Sequence, residues 1–409
     1  MKIFHKLDDI PHDFGPSFVT VGNFDGLHCA HRTVLDEIAR RAKSANGVSV
    51  VVTFEPHPVR ILRPDQSFKL LTPTPEKIRL FETTTVDAVL LLPFTRDLSL
   101  MTPHQFAHEI LKRRLHAREI HEGYNFHFGR KAAGNIQVLR ELGREMGFEV
   151  HEYPEMRLRG ERVSSSHIRK LLAEEGRVSR ARHLLGRPFS ILSFPGRGRG
   201  YGAKYTVPTI NLARYEELVP KDGVYITRTR IGRLQTSRDA LQLVSRVGFG
   251  KGTAFTGSPE RPPLAFWGKG VPFAIARDAA LAAEGRSSNP REQVLEQAVE
   301  AAPTKASTRP SSDSQTGECF DSVTNVGNRP TFGPDSFAIE SHLLNFHPIA
   351  LTADTEVEIH FLKRLRDEIK FPSVEALKEQ IGRDVRKAQK YFRRLGNPSP
   401  HPVSRITES

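Results

Sequence analysis

A run of ten residues, Gly22 to His31, most constrains the fold of this chain, because it reads as a glycine loop between a strand and a helix. Before it, Ser17 to Val21 is a short β-prone run, and after it apolar residues recur at helical spacing from Val34 to Ala42. Glycines let a loop turn tightly, and a helix start offers unpaired N–H groups and positive potential to anions. The segment therefore predicts a phosphate-binding turn in an α/β fold.

Two histidines, His28 and His31, stand at the predicted start of this helix. Placed there, they can donate hydrogen bonds to a triphosphate and stabilise the charge that builds up on phosphorus during adenylyl transfer. The pair by itself also fits a surface His-x-x-His or a metal site, although zinc needs a third ligand that no nearby residue obviously supplies. The surrounding glycines, strand and helix favour the phosphate interpretation.

The composition is that of an ordinary globular chain with a basic balance. A formal net charge of +13 indicates anionic ligands, either nucleotides or nucleic acid, and the absence of long Lys/Arg blocks does not favour nucleic acid as a partner. The longest apolar runs, Val48 to Phe54 and Ala88 to Phe94, are too short to span a bilayer, and Met1 to Lys6 lacks the apolar core of a signal peptide. Cys29 and Cys319 give no disulfide framework. We therefore expect a cytoplasmic protein without a membrane segment.

The first part of the chain alternates strand and helix patterns, as in a doubly wound α/β fold. Strands are predicted at Val48 to Phe54, Val86 to Leu92, Arg118 to His121 and Glu149 to Tyr153. Helices are predicted from Thr102-Pro103 to Leu115 and from Asn135 to Met146, with Gly147 as the stop of the second. In such sheets, ligands bind beyond the carboxyl ends of the strands.

Three polar segments follow predicted strands, at residues 53–58, 123–129 and 163–169. The second contains Asn125. In the third, Ser164 and Ser165 can cap a helix whose first turn carries Arg169, a suitable partner for a polyphosphate. The plain alternative is an ordinary serine cap followed by a solvated arginine.

Beyond Gly186-Arg187-Pro188 the pattern changes to strands without intervening helices, which predicts a domain boundary. A second phosphate signal follows, a loop in which glycines alternate with Arg or Tyr: Gly196, Gly198, Gly200 and Gly202. Such a loop can fold its N–H groups around phosphate, and the nearby Thr209 and Asn211 offer oxygen ligands of the kind that magnesium prefers. A flexible Gly/Arg linker with RNA affinity is the alternative that this loop leaves open.

Glu340 lies between the apolar Ile339 and Leu343, in a predicted strand that should be half buried. A carboxylate there is either a paired structural charge or a base. A closing helix is predicted from Val374 to Phe392 after a Ser373 cap. Its apolar stripe should pack on the preceding strands, through Leu377, Ile381, Val385, Ala388 and Phe392.

The two phosphate motifs in this order resemble the prokaryotic bifunctional riboflavin kinase/FAD synthetase family, and the likeness covers nearly the whole chain outside one insertion. It implies a nucleotidyltransferase-like N-terminal domain of the α/β doubly wound class. The ATP and catalytic motif implied by the resemblance comprises Gly22, Phe24, Asp25, Gly26, His28 and His31. The implied nucleotide and phosphate contacts are Asn125, Ser164, Ser165 and Arg169.

The second half resembles riboflavin kinases, which implies a small antiparallel β-barrel with a C-terminal helix. In this likeness the loop from Gly196 to Gly202 binds ATP, Thr209 and Asn211 contact ATP and Mg²⁺, and Glu340 is the general base toward the ribityl 5′-hydroxyl. Some positions depart from the family pattern. Ala30 replaces a usual glycine, Asn125 a frequent aspartate and Ser166 a frequent threonine, and Lys204 to Val207 replaces Leu-Gly-Phe.

The largest departure is an insertion at 233–318, rich in Ser, Pro, Ala and Gly, with little periodicity beyond a helix-like stretch from Arg291 to Ala301. We expect it to be a disordered loop. The predicted domains are an FMN adenylyltransferase at 1–186, a riboflavin kinase at 187–395 that this insertion interrupts, and a flexible tail at 396–409.

The resemblance implies an enzyme that phosphorylates riboflavin to FMN with ATP and Mg²⁺, and then adenylylates FMN to FAD with release of pyrophosphate. Two alternatives remain at this point: an FAD synthetase whose kinase module is impaired by the insertion, and a regulator that binds flavin or RNA on the same fold. A pure binder has less need of His28, His31, Thr209, Asn211 and Glu340 together. The sequence does not specify an oligomeric state.

Overall fold

The computed structural model describes residues 1–196, 209–232, 317–328, 337–347, 349 and 351–395. The described residues build two sheets in succession, a parallel one with helices and then an antiparallel one. Some sequence expectations lie outside the described residues: Gly198, Gly200, Gly202, Lys204 to Val207, nearly all of the predicted insertion with its helix-like stretch, and the tail.

Short β-prone runs in residues 1–164 form ten strands. They are β1 Lys2–Phe4, β2 Ser17–Val21, β3 Val48–Glu55, β4 Ala88–Pro93, β5 Ala117–Gly123, β6 His127–Phe128, β7 Gly134–Asn135, β8 Glu149–Tyr153, β9 Arg157–Leu158 and β10 Glu161–Arg162. Six of them form one sheet in the order β1-β4-β3-β2-β5-β8, and every neighbouring pair in it is parallel. Helices on both faces make this a doubly wound α/β fold, as predicted.

Eight α-helices lie in residues 1–185. They are α1 Cys29–Ser44, α2 Pro58–Leu62, α3 Thr74–Glu82, α4 Arg96–Leu100, α5 Pro103–Phe106, α6 Ile136–Met146, α7 Ser165–Ala173 and α8 Val178–Leu185. Single 3₁₀ turns occur at Leu7–Asp9 and Arg130–Ala132. The predicted limits of α6 are confirmed, because Asn135 accepts the Val138 N–H at 3.0 Å and Gly147 ends the helix at φ +76°.

Two helix predictions need correction. The helix expected to run to Leu115 starts after Thr102 but is π-helical over Ala107–Lys112. Its Arg113 N–H donates to the His108 carbonyl five residues back, and this wider turn keeps Ile110 and Leu111 in the core. In α7, which starts at Ser165, Arg169 is the fifth residue and so lies in the second turn rather than the first.

The central strands β3 and β4 are buried on both faces, which explains why they read as nearly continuous apolar runs. In β3, Val50 and Val52 pack into one core together with Ile110. Val51 points to the other face and packs into a second core with Leu35 and Ile38 of α1. This α1 core holds the start of the helix against the carboxyl end of the sheet.

The second sheet contains six strands, β11 Phe189–Ser193, β12 Thr209–Asn211, β13 Gly223–Ile231, β14 Glu318–Asn328, β15 Phe337–Leu343 and β16 Val357–Arg366. Their order is β11-β16-β13-β14-β15-β12, with every pair antiparallel. The two edges meet where Pro195 bridges Leu212, so the sheet curls into the predicted small barrel. Bulges between Val224 and Tyr225 and between Ile226 and Thr227 bend β13 along the way.

The barrel interior contains a closed ring of five buried hydroxyl groups. Its members, in order around the ring, are Thr227, Ser322, Thr229, Ser341 and Thr324, and their oxygen atoms lie 2.7–3.1 Å apart. Each member is fully buried. Each hydroxyl group can donate one hydrogen bond and accept another within the ring, so the polar atoms are satisfied without water.

The predicted insertion leaves and rejoins neighbouring antiparallel strands, as expected, because β13 and β14 pair as far as Ile231 and Glu318. Glu318 is already the first residue of β14. The predicted end of the insertion at 318 is therefore one residue too late.

The closing helix is α9 Val374–Leu395, and Ser373 caps it by accepting the Ala376 N–H at 3.2 Å. Ala388 and Phe392 pack against the barrel as predicted. The placement of Leu377 in the packed stripe was wrong, because it is 39% exposed. Fully buried residues of α9 begin only at Asp384, so the first turns of the helix lie away from the barrel core. Among the described residues, no helix combines the length and apolarity needed to cross a membrane.

The two sheets are joined by a shared core. Ile168 and Leu184 of α7 and α8 pack in one apolar cluster with Phe189 and Phe361 of the barrel. The Ser190 hydroxyl donates to Glu76 Oε1 at 2.8 Å across the same junction. The domain limits at 186, 395 and 409 stay a prediction.

Candidate active sites

The loop between β2 and α1 combines an obligatory glycine with two strained residues. Gly26 has φ +90°, and a Cβ there would lie 3.0 Å from Leu71 Cδ1. Phe24 and Leu27 also take positive φ values, +49° and +36°, although neither is glycine. Both side chains are buried, so core packing holds the loop in this shape. Gly22 does not have a positive φ. Its role is to leave room for the Phe24 ring, because a Cβ on Gly22 would lie 3.2 Å from Phe24 Cε2.

His28 and His31 are stacked at the start of α1, with ring centroids 3.6 Å apart. His28 is the N-cap residue, and its Nδ1 accepts the His31 backbone N–H at 3.4 Å. This bond requires an unprotonated Nδ1, so the proton of a neutral His28 lies on Nε2. His31 Nδ1 is buried and has no hydrogen-bond partner among the described residues.

Both imidazoles are uncharged at neutral pH. Burial lowers the pKa of His28 to about 4. Burial, reinforced by His28 and Lys77, lowers the pKa of His31 well below its ordinary value. The pair therefore offers neutral hydrogen-bond donors next to a helix start, and a bound anion would raise both pKa values by stabilising the charged form.

Asp25 and Arg169 are brought together, but as partners of each other. Arg169 Nη2 lies 2.6 Å from Asp25 Oδ2, and the Asp25 carboxylate also accepts the N–H groups of Leu71 at 3.2 Å and Thr72 at 3.0 Å. Burial raises the pKa of Asp25, while Arg169 opposes that rise. Ser165 adds a bond from its hydroxyl to the Asp25 carbonyl at 2.7 Å. These contacts attach the loop to the start of α7.

The remaining predicted contacts of this domain lie at the same edge of the sheet. Ser164 caps α7 by accepting the His167 N–H at 3.3 Å. Asn125 is exposed in the turn that follows β5, the neighbour of β2. Parallel strands end at one edge, so Asn125, the histidine pair and the start of α7 border a single rim.

Sequence reasoning missed a buried lysine behind this rim. Lys77 Nζ donates to the Asn23 carbonyl at 3.3 Å and to Thr53 Oγ1 at 3.2 Å. Burial lowers the pKa of Lys77, and Glu55 and Asp25 oppose that effect. A lysine in a helix normally predicts a solvated residue. The only available signal was its position on α3, which follows the carboxyl end of β3.

His57 is a second residue of this rim; it belongs to the polar segment 53–58 but was not singled out as a site residue. Its ring stacks on Phe68 with centroids 4.6 Å apart, and the Arg169 guanidinium lies 4.7 Å from the centroid of that same phenyl ring. Burial, together with Lys77 and Arg169, lowers the pKa of His57 to about 4. Phe68 therefore connects His57 and Arg169 at this rim by stacking and cation–π contacts.

The predicted site of the barrel lies on its outer face. Thr209 and Asn211 flank the buried Ile210, so their side chains point away from the interior. Glu340 likewise alternates with the buried Ile339 and Ser341. In the register of β12 and β15, Asn211 is directly opposite Glu340. The structure therefore brings Thr209, Asn211 and Glu340 together on one surface.

Gly196 is the one predicted loop glycine within the described residues, and close backbone approach explains it. Its N–H donates to the Asn211 carbonyl at 2.8 Å, and a Cβ there would lie 2.6 Å from the Leu212 carbonyl oxygen. The loop therefore starts from a point fixed beside Asn211.

Three further residues on this outer face escaped the sequence analysis as site residues. Asn325 of β14 lies opposite Glu340, and its Nδ2 donates to Glu368 Oε1 at 3.4 Å. Burial raises the pKa of Glu368, and Glu340 adds to that rise. His342 lies opposite Thr209; burial lowers its pKa to about 4, and its Nε2 has no partner among the described residues. Asn325 and His342 come to lie beside Glu340 and Thr209 only through strand register, which the sequence does not reveal.

Comparison with known families divides the chain in two. The FAD synthetase family model matches residues 10–167, and the riboflavin kinase family model matches residues 185–392. The second match alone covers half of the chain.

Relatives named bifunctional riboflavin kinase/FMN adenylyltransferase match over most of the sequence. The protein of Buchnera aphidicola subsp. Schizaphis graminum is 33% identical over 229 residues, which are 56% of this chain and 73% of that protein. The Haemophilus influenzae protein is 26% identical over 374 residues, 91% of this chain and 94% of that protein. The Pseudomonas fluorescens protein is 26% identical over 408 residues, 98% of this chain and all of that protein.

Among solved structures, a Streptococcus pneumoniae protein described as a macrolide-efflux protein superposes with a TM-score of 0.66. It is 20% identical and covers 95% of this chain and 98% of its own, so the likeness concerns the fold alone. The two family matches and the full-length relatives agree with the fold and with the order of the two sites. The chain belongs to the family of bifunctional riboflavin kinase/FMN adenylyltransferases.

Proposed function

We propose that this chain phosphorylates riboflavin at the outer face of the barrel and adenylylates the resulting FMN at the rim of the parallel sheet. One observation carries the proposal: the same chain presents a neutral histidine pair at a helix start and a Glu340–Asn211 pair across two barrel strands. Each arrangement suits phosphoryl chemistry with ATP, and the two matched families supply the substrates.

In the kinase step, Glu340 takes the proton of the ribityl 5′-hydroxyl while that oxygen attacks the γ-phosphorus of ATP. The new bond joins the ribityl oxygen to phosphorus, the bond to the bridging oxygen breaks, and ADP leaves. Asn211 lies directly across from Glu340, and the Gly196 N–H donates to the Asn211 carbonyl. This pairing sets the base beside the phosphate contacts.

A magnesium ion fits the donor set of the barrel face. The side chains of Thr209, Asn211 and Glu340 all carry oxygen atoms, and they share one surface. Such hard oxygen ligands suit Mg²⁺. We propose that Thr209 and Asn211 hold the ion, which when bound neutralises charge on the ATP phosphates.

In the adenylylation step, a phosphate oxygen of FMN attacks the α-phosphorus of ATP in line, and pyrophosphate leaves. His28 and His31 donate hydrogen bonds to the developing charge from the helix start. Arg169 contributes positive charge from a position that Asp25 fixes.

An ATP-dependent pathway and two unpaired cysteines, Cys29 and Cys319, support a place in the cytoplasm. The test of the whole proposal is chromatography of the purified chain incubated with riboflavin, ATP and Mg²⁺. FMN should accumulate first and FAD later, and FMN supplied alone with ATP should give FAD. FAD from supplied FMN without any FMN from riboflavin would leave an adenylyltransferase only, and the absence of both products would overturn the proposal.

A further inference from the structure

One four-residue pattern occurs twice in the parallel sheet. The order Glu, β-branched residue, His, Glu stands at residues 119–122 and again at residues 149–152. The two copies lie on the neighbouring parallel strands β5 and β8, in register, so that like residues face each other. Because strand residues two apart point to the same side, two glutamates and two histidines share one face of the sheet. The proposed reactions use none of these four residues.

The side chains converge as metal ligands do. Glu119 Oε2 lies 3.1 Å from His121 Nε2 and 3.2 Å from His151 Nε2, and the three atoms lie within 4.8 Å of one another. Ligands about 2.0–2.1 Å from a tetrahedral zinc ion are roughly 3.3 Å apart. Glu149 Oε2 lies 3.6 Å from His151 Nε2, but its side chain is exposed and lies outside this group of three, which leaves the fourth position to a water molecule.

The outer shell of this cluster also suits a metal. His121 is fully buried, and its Nδ1 is 2.8 Å from the Tyr153 hydroxyl oxygen, which leaves Nε2 directed at Glu119. The His151 side chain is 32% exposed and gives an ion a path from solvent.

A cationic side chain already lies in the cluster. Arg41, in the last turn of α1, places Nε 2.5 Å from Glu119 Oε2 and Nη2 3.2 Å from His151 Nε2. Its side chain is 30% exposed and can turn outward. The guanidinium therefore balances the buried Glu119 carboxylate from the position that a metal ion would take.

We propose that Glu119, His121 and His151 form a binding site for a divalent transition metal of the zinc class, and that Arg41 substitutes for the ion when no metal is bound. Bound metal joins β8 to β5 and displaces the Arg41 guanidinium toward solvent. The site lies under the last turn of α1, at the other end of that helix from the histidine pair. Metal binding therefore acts on the stability of the β5–β8 edge of the sheet rather than on the histidine pair.

The full chain titrated with Co²⁺, with visible absorption as the readout, tests the site. We expect one equivalent of Co²⁺ to give the intense bands of a tetrahedral site, and Zn²⁺ to abolish them. His151→Ala should remove the bands, Tyr153→Phe should weaken binding about tenfold or more, and Arg41→Gln should tighten it. His151 is half-exposed, so its variant tests the site even if His121→Ala does not fold. The matched control is His104→Ala with His108→Ala, another stacked pair, 6.2 Å between centroids, which should change nothing.

Thermal unfolding gives an independent readout. Zn²⁺ should raise the melting temperature of the parent chain and of Arg41→Gln, and it should leave His151→Ala unchanged. The proposal is overturned if the parent gives no tetrahedral Co²⁺ spectrum, if that spectrum survives in His151→Ala, or if Arg41→Gln binds more weakly than the parent.

Discussion

Replacement of Arg169 by methionine separates the two roles that the structure gives this side chain. Methionine keeps an apolar stem of similar length but leaves the Asp25 carboxylate, 4% exposed, without its cation. Breaking a buried ion pair in this way typically costs about 3–5 kcal/mol. Two backbone N–H groups still serve Asp25, and Arg169 is 24% exposed, so we expect the lower end of that range, about 3 kcal/mol.

The loss of stability in Arg169→Met should depend on pH in a definite direction. Burial already raises the pKa of Asp25, and loss of Arg169 removes a group that opposes the rise. A raised folded-state pKa favours the protonated carboxyl group, so the native state is relatively more stable at low pH and loses that advantage as pH rises through the folded pKa. The destabilisation by Arg169→Met should therefore be larger at pH 7 than near pH 4.

Urea unfolding followed by circular dichroism measures the effect, in a cycle of Arg169→Met, Asp25→Asn and the double variant. The matched control is Arg180→Met, whose partner Glu161 is near the surface; it should cost less than about 1 kcal/mol. FAD synthesis from FMN should fall in Arg169→Met. The stability of Asp25 does not depend on Arg169 if Arg169→Met loses no more stability than Arg180→Met. The same follows if the stability losses of Arg169→Met and Asp25→Asn simply add in the double variant. Either result would contradict our account of the loop.

Three further effects should be measurable on the same chain. The folded-state pKa of His28, about 4, lies below the ordinary 6.5, so protonation of this ring should remove at most about 3 kcal/mol of stability as the pH drops from 6.5 to 4. In urea titrations, His28→Gln should therefore reduce the dependence of the free energy of unfolding on pH. An unchanged pH dependence would contradict the burial of a neutral ring. Ser341→Ala opens the hydroxyl ring and leaves Thr229 and Thr324 each without one hydrogen-bond partner. Urea unfolding should therefore show a free energy of unfolding lower by about 1–3 kcal/mol. An unchanged free energy of unfolding would mean that the ring is not closed. Replacement of residues 234–317 by an Asn-Gly turn should keep both activities, because Ile231 and Glu318 are already paired. The length of the segment matters little, since each doubling of a flexible loop costs only about 0.6 kcal/mol. Loss of riboflavin phosphorylation alone would assign the insertion to the flavin site.

Local patterns in the sequence were sufficient for the elements that local physics decides. The strands Ser17–Val21 and Glu149–Tyr153 coincide with their predicted bounds, and the caps at Asn135, Ser164 and Ser373 lie where hydrogen-bonding side chains precede apolar periodicity. The order of the two phosphate motifs then carried the family resemblance. These features depend on neighbours within one or two turns, which the sequence displays directly.

Contacts between distant parts of the chain were not accessible in this way. The sequence left Arg169 as either a polyphosphate partner or a solvated arginine, yet its partner Asp25 is 144 residues away. Lys77 carries no local sequence signal for burial, yet the packing of α3 buries it. The alignment of the two Glu-x-His-Glu segments depends on the register of β5 with β8, and register is set by the whole sheet.

The central claim, two separate phosphoryl-transfer sites on one chain, is tested most directly by mixing two variants. His28→Ala with His31→Ala should turn riboflavin into FMN and stop there, since loss of each transition-state donor typically costs on the order of 10²-fold in rate. Glu340→Gln should make FAD only from supplied FMN, because it lacks the proton acceptor. With riboflavin and ATP, neither variant alone should yield FAD, and the mixture should restore it because FMN made by the first variant is used by the second. FAD from either variant alone at the parent rate, or none from the mixture, would contradict the account.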